Sequence, residues 1–253
     1  MPYGIVIPLL VGIAGHLLVK IYNVQGGEAP GIVHLLSAVS FIAYSFLHGI
    51  RYQGYKQTIW LFLVSFLVSA VFLGGLHRQG YMFFSSHMLL FGFPLPVIFW
   101  FFALIYNSIM LAEWIVGEVN RIIDRTVQAL LASFISSAYL LVACPLMWLR
   151  KDWGFTVEGS FYHTPIDQYF LWLGMTFAIA LLYERVGVKM EKREHGLGKN
   201  GYGYVLIFYA WLMFSAMLTA FIYELEGLFL ISLFGMGPYI LLYYRRRACS
   251  RRG

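Results

Sequence analysis

Apolar stretches of about 20 residues recur along this chain, and that is the length of helix needed to cross roughly 30 Å of hydrocarbon. Backbone groups inside a bilayer find no water, so each spanning segment must satisfy its own hydrogen bonds. Runs of this length do so as helices rather than as strands of a barrel. Composition agrees, since 60% of the 253 residues are hydrophobic and only 12% are charged. A soluble domain carries roughly one quarter charged residues. The chain is therefore expected to be an all-α, polytopic transmembrane bundle.

Eight spans are expected, over residues 2–22, 31–52, 55–76, 85–117, 122–149, 165–187, 202–223 and 228–244. The fourth is too long for one helix and contains Gly92, Pro94 and Pro96, so a kink or break is expected there. The last holds Gly235, Gly237 and Pro238, which leaves a seven-span alternative in which this segment is re-entrant or interfacial. Fourteen of the eighteen Lys and Arg residues fall on one side of the eight-span arrangement, and cytoplasmic loops carry the excess. Both termini are thus expected in the cytoplasm, with residues 245–253 as a basic tail. The first apolar stretch lacks a basic leader and a clear cleavage site, so it reads as a retained helix. No linker or internal repeat divides the chain, which reads as one membrane domain over residues 1–253.

The net charge of +6 comes from loops and the C-terminal arginines, without a basic face interleaved with aromatics, so nucleic acid is not an expected partner. Cys144 and Cys249 fall on opposite sides of the membrane and are not expected to pair. No two histidines lie three or four residues apart, and no HExxH, GxSxG or P-loop occurs. Neither a metal nor a cofactor is expected. Nothing in the sequence specifies an oligomer.

Ionisable groups inside a bilayer are costly and are candidates for function. His16 and His34 fall towards the outer ends of the first two spans, with His77, His87, His163, Asp167 and Glu224 at outer ends of others, so these groups could converge. His48, Glu113 and Glu184 fall towards the inner side. The segment from Trp153 to Gln168 packs two carboxylates, a histidine and four aromatics at the membrane boundary. It runs directly into a helix at Pro165, where Asp167 would also suit the positive helix end.

Here the sequence resembles the carotenoid biosynthesis family of membrane proteins that includes carotenoid 1,2-hydratases and bisanhydrobacterioruberin hydratase. That family carries a Gly-x-Tyr-Tyr-Gly-Val-Pro-x-x-Asn-Phe-x-Gly-Trp pattern at a helix start. Residues Gly159-Ser160-Phe161-Tyr162-His163-Thr164-Pro165-Ile166-Asp167-Gln168-Tyr169-Phe170-Leu171-Trp172 keep its cadence. His48, Gly80-Tyr81, Gly92-Phe93-Pro94-Leu95-Pro96, Trp100 and Tyr106 follow the family order across residues 40–185. The departures are His163-Thr164 for Gly-Val, Asp167 for Asn, and the lack, near Gly74, of the family's glutamate before the Gly-Tyr segment.

The resemblance implies a lipid-soluble isoprenoid or carotenoid substrate met among membrane lipids, in a prokaryotic plasma membrane. The implied reaction is hydration of a terminal double bond by protonation and water capture. Asp167 is the expected acid, kept protonated by burial, with His163 as relay; Glu113 and His48 are further catalytic candidates. Trp100, Tyr106, Phe161, Tyr162 and Trp172, with His87, are the expected substrate-binding residues. An intramembrane terpene or carotenoid cyclase shares the first step but excludes water. A transporter or a scaffold subunit is the alternative outside enzymology.

Overall fold

The computed structural model describes residues 3–24, 31–86, 89, 92–117, 122–186 and 201–249. Eight helices account for most of them: α1 (Tyr3–Val24), α2 (Gly31–Tyr52), α3 (Tyr55–Arg78), α4 (Leu95–Val116), α5 (Ile122–Leu149), α6 (Ile166–Val186), α7 (Gly201–Ile222) and α8 (Glu226–Cys249). All eight are long and apolar enough to cross a membrane. The outer faces of the bundle are hydrocarbon. Val71, Phe221, Phe234 and Leu241 are each more than 70% uncovered by protein, a surface that would associate or precipitate in water and that lipid accommodates. The chain is a multi-pass integral membrane protein.

At the centre stands α4. Its sequence is apolar on every side, so it has no face to offer to water and is surrounded by α2, α3, α5, α7 and α8. The break expected in the fourth span is a helix start rather than a kink. Pro94 caps α4 and Pro96 lies in its first turn, where proline's missing N–H costs nothing. The last span is a full helix of 24 residues despite Pro238, and α8 carries Arg245, Arg246 and Arg247 within it. The basic segment therefore begins as helix, not as a tail; residues 250–253 lie outside the described ones.

Close helix packing is set by small residues. A Cβ at Gly12 would stand 2.7 Å from Phe41, so glycine is what lets α1 lie against α2, and the Ser37 hydroxyl donates to the Gly12 carbonyl at 3.0 Å.

The one sheet among the described residues is a two-stranded clip at one end of the bundle. β1 (Met82–Phe84), between α3 and α4, pairs antiparallel with β2 (Trp153–Phe155), between α5 and α6, in the register Phe84 opposite Trp153. The pairing continues as the Ser85 amide and hydroxyl both donate to the Asp152 carbonyl, at 2.8 and 2.9 Å. Gly154 sits where a Cβ would be 2.6 Å from Trp148, so the clip lies flat on the end of α5. This end of the bundle is the clip end; the other, carrying Arg51, Arg185 and Arg245–Arg247, is the basic end.

Candidate functional site

A cavity of about 90 Å³ opens into the clip end between α1, α2, α4 and α5. That is several times the roughly 10–15 Å³ needed to hold one water. Its lining brings two kinds of group together among aliphatic side chains. The polar ones are His16 of α1, His34 of α2, and Arg150 and Asp152 just beyond α5. The aromatic ones are Trp100 and Phe101 from α4, Tyr139 from α5 and Trp153 from the clip.

The clip explains part of the polar lining. Arg150 and Asp152 follow the last turn of α5, and the β1–β2 pairing holds their backbone over the cavity. Arg150 Nη2 stands 2.7 Å from Asp152 Oδ2, both side chains being almost fully buried. Burying two ions is expensive, and the pair survives only because each neutralises the other at contact distance. Lys20 is buried one helical turn beyond His16 and donates to the Thr219 hydroxyl of α7. His16 is buried as well, with Trp211 Nε1 donating to its Nδ1 at 3.3 Å. A concentration of ionisable groups this dense, at one end of an apolar bundle, marks the site.

The aromatic rings lie in two layers. Trp100 packs on Tyr139 with ring centroids 5.0 Å apart. Behind them Trp172 is fully buried, stacked on Phe101 at 5.0 Å and edge-on to Trp153 at 6.0 Å. Ring faces of this kind attract a positive charge that has no water around it.

Several expectations from the sequence meet the structure differently. Asp167 is not a buried acid: α6 starts at Ile166, residue 167 falls in its first turn, and the side chain faces outward, where it complements the helix dipole. His163 also stays outside the cavity. It lies flat on Trp148 with centroids 4.2 Å apart and pairs with Glu158 at 2.8 Å, and its side chain is 43% exposed. Phe161 and Tyr162 pack against a separate apolar cluster of Val142, Leu146, Ala216, Ala220 and Leu228. Tyr162 and His163 both adopt positive φ, 45° and 63°, so this loop is a strained knot beside the bundle rather than a wall of the site.

His48, Tyr106 and Glu113 lie at the basic end. His48 is fully buried, with Nε2 2.9 Å from the Gly201 carbonyl and Nδ1 2.5 Å from the Tyr106 hydroxyl. A carbonyl only accepts, so Nε2 carries the proton, and in the neutral ring Tyr106 donates to Nδ1. Gln53 donates to Glu113 at 2.8 Å, and Tyr44 to Asn107 at 3.0 Å. The six proposed catalytic and aromatic residues Asp167, His163, Phe161, Tyr162, His48 and Glu113 are therefore spread over three regions. Trp100 lines the cavity, Trp172 backs it, and His87 lies outside the described residues.

His16 and His34 both line the cavity. Arg150, Asp152, Tyr139 and Trp153 were not legible as site residues, although Asp152 beside Arg150 and Lys151 at a span's end is a signal of the right kind. Among the described residues no group of three or more His, Cys, Asp and Glu side chains comes together as a metal site.

Fold and site together define a helical membrane protein with a mainly apolar cavity at one end of the bundle, lined by aromatic rings and a few ionisable groups. The family model for carotenoid biosynthesis proteins matches residues 31–237, most of the chain, and the protein belongs to that family. Its membership supports a role in carotenoid biosynthesis. Comparison with curated proteins and with solved structures returns no match.

Proposed function

We propose that the protein hydrates the terminal double bond of an isoprenoid end group on a long polyene, in the cavity at the clip end. The observation that carries this reading is the presence of aromatic rings and of His16, His34, Arg150 and Asp152 in the lining of one cavity. A trisubstituted alkene that takes up a proton becomes a tertiary cation; the aromatic faces of Trp100, Tyr139 and Trp153 suit that cation, and the polar groups suit water.

In this reading the end group enters from lipid and lies against the aromatic rings. His34, as imidazolium, delivers the proton to the less substituted alkene carbon. The Asp152 carboxylate, held by Arg150, balances the charge that develops beside it. Water captures the cation and its surplus proton returns to His34. A cavity that admits water favours hydration over ring closure, because a cyclase must keep its cation dry. The partners are then a carotenoid-type substrate and the surrounding lipids. The positive-inside count supports a cytoplasmic basic end with the clip end outside, and the family resemblance supports a prokaryotic plasma membrane.

The test is mass spectrometry of pigments from a host that makes an acyclic polyene, with and without this chain. A product heavier by one water supports the reading. An isomer of unchanged mass supports a cyclase, and an unchanged pigment profile with good membrane expression contradicts both.

A further inference from the structure

His16 is gripped by rings from two other helices. Trp211 of α7 meets it edge to face with centroids 6.0 Å apart, and Phe41 of α2 closes on it at 6.4 Å and 88°. The indole N–H of Trp211 points at Nδ1, 3.3 Å away. An indole nitrogen can only donate, so Nδ1 is the acceptor and the neutral ring carries its proton on Nε2. His16 also lines the cavity, and with Nδ1 occupied the nitrogen left for a cavity ligand is Nε2. The grip is reinforced one turn along α1, where Lys20 donates to Thr219 of the same α7. The Trp211 contact thus chooses the tautomer of the ring, and the Lys20 contact ties α1 to α7 one turn away.

We infer that His16, locked by Trp211 with its proton on Nε2, orients the water that captures the substrate cation, and that Trp211 is a positioning residue for this step. The inference rests on the hydration reading. The proton from His34 adds to the alkene, whose π pair forms the new C–H bond and leaves a tertiary cation. A water whose oxygen accepts one hydrogen bond from His16 Nε2–H has its other lone pair free, and that pair forms the C–O bond. The oxonium proton then passes to the neutral His34, so the sum is alkene plus water. Without an oriented water the same cation loses a neighbouring proton and returns an isomer of the substrate. His16 therefore governs how the cation partitions, rather than how fast it forms.

That partition gives a readout that damaged packing alone does not move. The full-length protein in lipid bilayers, turning over an acyclic polyene, is compared with His16→Leu, Trp211→Phe and His16→Gln, scoring hydrated against isomerised product. The expected result is a ratio lowered about two- to tenfold in His16→Leu and Trp211→Phe, the size of one lost hydrogen bond, with recovery in His16→Gln, whose amide N–H can replace Nε2–H. Magnetic resonance of isotope-labelled histidine, read without substrate, is expected to find the His16 proton on Nε2 in the unaltered protein and shared between the nitrogens in Trp211→Phe. An unchanged product ratio in both variants, or a proton on Nδ1 in the unaltered protein, overturns the inference. A protein that forms no hydrated product at all overturns the hydration reading instead, and the resonance result then bears on the Trp211 contact alone.

Discussion

The two ends of the bundle both bury polar side chains, and those at the clip end line a cavity. At the basic end His48, Tyr106, Tyr44, Asn107, Gln53 and Glu113 bond to one another or to backbone, and the Gly201 carbonyl takes up the remaining His48 nitrogen. These bonds tie α2 to α4 and to the start of α7. At the clip end His16, His34, Arg150 and Asp152 border a cavity. Burial marks a polar group as expensive in either place; in the proposed reading, the open volume at the clip end is what lets its groups meet a substrate.

The comparison breaks most sharply if the clip-end variants leave turnover intact. His34→Gln is expected to lower turnover by about two to four powers of ten, the range of a lost general acid, with thermal unfolding unchanged, as turnover assays and melting curves on matched protein would show. Asp152→Asn acts on both quantities, because it strands the buried Arg150 cation: a stability loss of about 3–5 kcal/mol is expected from denaturation, along with loss of activity. At the basic end Tyr106→Phe removes the hydroxyl that meets His48 and is expected to cost about 1–3 kcal/mol of stability while turnover per folded molecule holds. Trp100→Leu should weaken the cation wall by about 0.5–2 kcal/mol, read as a fall in the rate of substrate consumption. The smallest effect is expected from Asp167→Asn, about 0.3–1 kcal/mol of stability through the helix dipole, with turnover retained.

The architecture was legible because its determinants are local. Eight apolar runs, the prolines before α4 and the basic loops each act through neighbouring residues, and so do the positions of His16 and His34 near the ends of their helices. The site was less legible because it depends on a distant pairing. Asp152 and Trp153 reach the cavity through the contact of β2 with β1, about 70 residues earlier in the chain. Three strand residues on each side carry too weak a pattern to announce it. Asp167 misled for the complementary reason: a carboxylate at a helix start beside aromatics has the composition of an acid site. Which way the first turn of α6 faces is decided by packing against α5 and α3, not by the sequence around it.

The most direct measurement is product formation by His34→Gln, His48→Gln and Asp167→Asn assayed side by side in membranes, at equal amounts of folded protein and with the same acyclic polyene. Placing the reaction in the clip-end cavity requires that His34→Gln alone lose the hydrated product. Retained hydration in His34→Gln, or loss in Asp167→Asn at full folding, would contradict it and return the chemistry to the outer face of α6.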